Sequence, residues 1–207
     1  MTRVLVVRCH PVDDSFTAAV DLLARRTLAA AGAEVRSIDL YAEGFVPELD
    51  AGELDVLLPD GSVPDTGSPD SLPHRDGRRP DLDPDLLAHL DHLEWCRALV
   101  LVYPTWWAGQ PAMLKGWLDR TSALARRTGR RPRNIRRIVA VTTHGSSKFV
   151  NAAEGEGGKR TISRWVAREY GLRTRTRWIA LYGIDTCDDA TRERVLRRVE
   201  RAMRRLA

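Results

Sequence analysis

Short apolar runs alternate along the chain with longer segments of helical spacing. RVLVVRC (3–9) is a β-branched apolar run of strand length, followed by a proline-containing loop. From Ser15 the period lengthens: Phe16, Val20, Leu23, Ala24, Leu28 and Ala31 share one helical face, and Gly32 ends it. Ser15 or Asp14 is a natural N-cap. EVRSIDL (34–40) predicts a second strand. DPDLLAHLDHLEWC (83–96) predicts a helix with Pro84 in its first turn. ALVLVY (98–103) is continuously apolar, as a central strand covered on both faces should be. PAMLKGWLDRTSALA (111–125) is helical and opened by Pro111, and RRIVAVTTHG (136–145) is another buried strand ending in a polar loop. ISRWVAREYG (162–171) predicts a helix ended by Gly171, TRTRWIALYG (174–183) a fifth strand, and 188–206 a last helix. Strands alternating with helices predict βαβ units: an α/β, three-layer, doubly wound domain with a five-stranded parallel sheet, one domain over residues 1–207. One stretch breaks the alternation. From about 47 to 83 the chain is polar and rich in Pro, Gly and Asp, a long excursion of the kind that is usually functional or mobile.

Composition narrows the class. With 207 residues, 43% hydrophobic and 29% charged, the chain is globular and large enough for a full core. No run of about 18 apolar residues exists, so no integral membrane segment is expected, and the first residues are too short an apolar run for a signal peptide. Cys9, Cys96 and Cys187 are scattered, without a CxxC pair. Reduced thiols and a cytoplasmic location are the simple expectation. The net charge of +5 comes largely from arginine, in RRTGRRPRNIRR (126–137) and in the C-terminal RERVLRRVERAMRRLA. In the latter, Val195, Leu196, Val199, Met203 and Leu206 form one apolar stripe, which describes a helix docked on a core with a solvated basic face. No nucleic-acid-binding motif accompanies the charge, and no nucleic acid is expected as partner.

In an open parallel sheet, ligands bind beyond the carboxyl ends of the strands. Three loops there hold most of the unusual chemistry: C-H-P-V-D-D-S-F-T after the first strand, P-T-W-W-A-G-Q-P after 98–103, and T-T-H-G-S-S after 136–141. The first places His10, Ser15 and Thr17 at a helix N-terminus, which suits a phosphate monoester; it lacks the glycine patterns of a dinucleotide site or a P-loop. An ordinary capping loop is the alternative. Trp106 and Trp107 suit a wall for a flat ligand, or a hydrophobic plug or dimer contact. Thr142, Thr143, His144 and Gly145 offer hydroxyl, imidazole and backbone donors.

HPVDDSFTAAV (10–20), YPTWWAGQPAMLKGWLDR (103–120) and TTHGS (142–146) resemble the flavodoxin-like NAD(P)H:quinone oxidoreductases over roughly residues 1–185. The resemblance implies a flavodoxin-like sheet of order 2-1-3-4-5 and a noncovalent flavin. By position, His10, Ser15, Phe16 and Thr17 would hold the phosphate and ribityl chain. Pro104, Thr105, Trp106 and Trp107 would line the isoalloxazine, and Thr143, His144 and Gly145 would close its pyrimidine side. The implied reaction is ping-pong hydride transfer from NAD(P)H through the flavin to a quinone or similar small-molecule acceptor, in a homodimer. A regulatory flavoprotein subunit of the potassium-efflux type, on the same fold, is the alternative. Departures are visible. Phe149 or Val150 falls near the family's tyrosine and Glu156 near its histidine, which leaves His144 as the candidate catalytic substitute. Leu90 stands where a glutamine commonly reaches the adenylate of FAD, which favours FMN over FAD. The arginines near 126–137 are candidates for a 2′-phosphate.

Overall fold

The computed structural model describes residues 1–49 and 83–207. Five strands, β1 (Arg3–Arg8), β2 (Glu34–Asp39), β3 (Ala98–Pro104), β4 (Arg137–His144) and β5 (Arg175–Tyr182), form one parallel sheet in the order β2-β1-β3-β4-β5. Strand alternation divides the core into two layers. Leu5, Leu99, Leu101 and Ile138 face α2 (Pro84–Trp95) and α3 (Ala112–Arg127), while Val4, Val6, Val100 and Val139 face α1 (Phe16–Ala30) and the last helix, α7 (Asp189–Arg204). Strand β3 is buried along its whole length, as its unbroken apolar run required.

The predicted strands and long helices are all present. Ser15, rather than Asp14, caps α1: its hydroxyl accepts the Ala18 amide at 3.1 Å. Between β4 and β5 the chain is more helical than its pattern indicated. Short helices α4 (Lys148–Ala153) and α5 (Gly157–Arg160) lead into a π-helical turn, Thr161–Val166, and then α6 (Ala167–Tyr170). Helix α4 starts because Ser147 caps it, accepting the Val150 amide, a local signal that apolar periodicity does not carry. The expected excursion at 47–83 lies, from residue 50 to 82, outside the described residues. Among the described residues no helix is long and apolar enough to cross a membrane.

Candidate functional site

The strand order reverses between β1 and β3, and a cavity of about 750 Å³ opens beyond the carboxyl ends of these strands and β4. All three loops singled out from the sequence reach it. The first contributes His10, Ser15, Phe16 and Thr17, the second Pro104, Thr105, Trp106 and Trp107, and the third Thr143, His144 and Gly145.

At the first loop the groups facing the cavity are donors. Ser15 uses its side chain on Ala18 and its carbonyl on Ala19, so the Phe16 and Thr17 amides at the start of α1 carry no internal hydrogen bond. His10 Nδ1 lies 3.0 Å from both the amide nitrogen and the carbonyl oxygen of Val12. The amide can only donate, so Nδ1 accepts and the ring proton sits on Nε2. Nearby Asp13 is held by Arg8 at 2.5 Å, and Arg8 also pairs with Asp39.

The second loop is a tight turn. Trp106 and Gly109 exchange both backbone hydrogen bonds, at 3.1 and 3.0 Å, with Trp107 and Ala108 between them at φ 48° and 59°. This is a type I′ geometry, normally given to Asn-Gly because a Cβ in the left-handed region costs about 1–2 kcal/mol per residue. Contacts from outside the turn hold it: Gly158 N–H donates to the Ala108 carbonyl at 2.9 Å, and Gln110 Nε2 donates to the Gly158 carbonyl at 2.8 Å. The result projects Trp107 fully into solvent and leaves Trp106 43% exposed. Neither ring plugs the core of this chain. Strain of this kind persists where the surrounding structure over-determines it, most often at ligand sites.

The third loop is built around a buried histidine. His144 Nδ1 lies 2.6 Å from Asn151 Oδ1, while Asn151 Nδ2 donates to Ser146 Oγ and to the Ser147 carbonyl, both at 2.8 Å. Those two bonds orient the amide, so Oδ1 accepts and the His144 proton sits on Nδ1. Nε2 is therefore an acceptor, 3.4 Å from Thr105 Oγ1, which in turn is 2.7 Å from Thr142 Oγ1. Burial pushes the His144 pKa down, the Asn151 bond opposing it in part, so the ring is neutral at physiological pH. It stacks on Tyr182 with centroids 4.6 Å apart. Tyr182 donates its phenol to Glu156, whose carboxyl Lys159 holds below the usual carboxylate range.

Several residues of interest sit elsewhere. Phe149 and Glu156 do not line the cavity; the polar groups contributed by that segment are Asn151 and Glu154. Leu90 is wholly buried in the core. The 126–137 arginines do not approach the cavity within this chain. They precede β4, whose eight residues separate them from it by roughly 26 Å, and Arg126 and Arg130 are engaged by Glu169, Asp91 and Glu94. Asp185 and Ile184, which line the cavity from beyond β5, were missed. The strand-end argument finds them when it is extended to the fifth strand. Asp185 lies so close that a Cβ on Gly145 would meet its carboxylate at 3.1 Å.

A parallel sheet in this order, with a cavity at its switch point, defines a doubly wound α/β fold. The chain belongs to the flavodoxin-like family, whose model for the flavodoxin-like fold matches residues 2–202. It is 29% identical over 178 residues to NAD(P)H dehydrogenase [quinone] 1 of Rattus norvegicus, a match covering 83% of this chain and 64% of the relative. The chain thus spans about three-fifths of the length of that relative and of its Cavia porcellus counterpart. It is 32% identical to the uncharacterized NAD(P)H oxidoreductase YcaK of Escherichia coli (strain K12), covering 72% of this chain and 68% of the relative. Among solved structures, the NAD(P)H:quinone oxidoreductase of Methanothermobacter marburgensis superposes with TM-score 0.75 at 25% identity, covering 99% of this chain and 95% of that one. An FMN-dependent NADH-azoreductase of Bacillus anthracis, in complex with FMN, shares the fold at TM-score 0.74 and 18% identity over the full length of both chains.

Proposed function

We propose that this chain is a flavin-dependent oxidoreductase that passes two electrons from NAD(P)H to a quinone or similar small acceptor in a ping-pong cycle. The observation that carries this reading is the convergence of three loops on one cavity, donor-rich at the α1 N-terminus and flat-walled at the Trp106–Ala108 turn. Its chemistry fits a flavin. The donor set of the first loop suits a phosphate, and the exposed tryptophans suit a planar ring. Bound there, the flavin supplies the hydride chemistry. The protein supplies position and electrostatics. The Phe16 and Thr17 amides, the Thr17 hydroxyl and His10 Nε2–H hold the phosphate end. The unbonded Trp107 and Ala108 amides meet the polar edge of the ring. Gly145 keeps the third loop thin enough for Asp185 to sit beside it. Neutral His144 offers a lone pair and so is matched to an N–H group. Leu90 offers no contact on an adenylate side, which favours FMN over FAD.

A homodimer is part of the proposal. Trp107 and Phe149, on elements bordering the cavity, and Trp165, in the groove between α3 and the π-helical turn, are 103, 81 and 71% exposed, a costly surface for a lone chain.

The test is an absorbance spectrum of the purified protein with added FMN or FAD, followed by anaerobic titration with NADH and NADPH and readdition of a quinone. Flavin absorbance that bleaches with a nicotinamide and returns with the quinone is expected. Protein that takes up no flavin overturns the reading. Flavin that binds but is reduced by neither nicotinamide points instead to the regulatory subunit.

A further inference from the structure

A group of arginines gathers on the edge of the sheet opposite the cavity, where the strands begin. Arg3, Arg97, Arg136 and Arg175 are joined backbone to backbone across that edge: Arg97 N–H donates to Arg3, Arg136 to Arg97 and Arg175 to Arg136, at 2.8–2.9 Å. At the strand spacing of a sheet this row spans roughly 14 Å. Next to it, the turn between α6 and β5 is closed by Thr174 N–H on the Gly171 carbonyl and presents Leu172 and Arg173 at its tip. Arg97, Arg136, Arg173 and Arg175 are exposed, and none of the four has a carboxylate partner among the described residues. The nearby acids Asp91, Glu94 and Glu169 are taken up by Arg130 and Arg126. Glu34, beside Arg3 in the sheet register, is the acid that remains on this edge.

We infer that this edge is a docking face for an anionic lipid surface. Unpaired arginines side by side repel one another and gain by sharing an anionic plane. A row of cations along one edge suits a surface of anionic headgroups. Leu172 is 90% exposed at the β5 end of the row, beside Arg173, placed to enter the boundary between headgroups and acyl chains. Nucleic acid is less well matched. Trp95, the aromatic beside this edge, is covered by the Arg36 and Arg3 guanidinium groups at 4.1 and 5.9 Å and offers no free ring to a base. The face lies away from the cavity, so a docked molecule keeps its site open to solvent, and the inference stands or falls independently of the redox reading.

The experiment is co-sedimentation of the full chain, with bound flavin where present, using vesicles of phosphatidylcholine alone or with about a third phosphatidylglycerol. Binding to the anionic vesicles only, lost as salt is raised, is expected. Each arginine replaced should weaken partitioning roughly five-fold, so the triple variant Arg97→Gln/Arg136→Gln/Arg175→Gln loses about two orders of magnitude, and Leu172→Ser loses several-fold at unchanged charge. Should the triple variant fail to fold, Arg173→Gln and Leu172→Ser, both on the exposed turn, carry the test. Equal binding to neutral vesicles, no binding to anionic ones, or variants that bind like the parent overturn the inference. So does retention on duplex DNA at a salt concentration where vesicles are not bound.

Discussion

His144 shows how much of the site's chemistry one neighbour decides. Asn151 Oδ1 accepts the hydrogen bond of Nδ1–H, and with that Nε2 becomes an acceptor at the cavity wall. A neutral ring with a lone pair at Nε2 cannot donate to developing negative charge, so this state of His144 does not match the charge-stabilising part expected of it from the resemblance. Nitrogen-15 NMR of the imidazole should show the Nδ1–H tautomer in the parent protein; an Nε2–H ring would contradict the geometry. Because burial places the folded pKa below the ordinary 6.5, the folded state binds fewer protons than the unfolded chain. The contribution of His144 to stability is therefore full above about 6.5, and is lost as pH falls from there through the folded value. Asn151→Asp puts a carboxylate on Nδ1–H and should raise that pKa, narrowing the window; an unchanged titration would show that Asn151 does not set the ring's state. Trp106 and His144 were visible as candidates because their residue types are unusual at strand ends. The Nδ1 proton was not, since it depends on an amide that Ser146 and Ser147 orient.

At the scale of the element, α3 separates two jobs that the motif runs together. Its first residues follow the Trp106–Gly109 turn, while the helix itself is structural. Trp117 is wholly buried and donates its indole N–H to His89 Nδ1 at 3.2 Å. Gly116 meets the backbone of Pro47 so closely that a Cβ would lie 2.2 Å from its carbonyl oxygen. Arg120 reaches the Val46 carbonyl at 2.7 Å and Asp83 at 3.2 Å, holding together the two points where residues 50–82 leave and rejoin the described chain. Trp117→Ala should cost about 3–5 kcal/mol of stability, and Gly116→Ala about 1–3 kcal/mol, each read as a lowered melting temperature. Trp106→Ala should leave stability within about 0.5 kcal/mol and weaken flavin binding instead. If Trp106→Ala and Trp117→Ala lower the same property, the two jobs are not separate. The long helices were legible because their apolar stripes are periodic. The π-helical turn at Thr161–Val166 was not, because it inserts extra backbone into an otherwise regular stripe and is held by packing of Ile162 and Tyr170 against the sheet.

The whole molecule is polar along its strands: a cavity with exposed aromatics at the carboxyl edge, arginines at the amino edge. A second copy covering the aromatics would complete the first edge and leave the second free. On that reading Trp165→Asp, in the groove between α3 and the π-helical turn, should shift the sedimentation coefficient toward that of one chain; an unchanged value would place the aromatics outside the contact. The layers and the strand-end position of the cavity were determined by the sequence alone, because hydrophobic periodicity is local and a buried parallel strand has few alternatives. Tertiary structure decided the left-handed turn under Trp107, the neutral acceptor state of His144 and the edge to which the arginines go. Each depends on groups distant in sequence: Gly158 beneath Ala108, Asn151 beside His144, and four strand starts brought into one row.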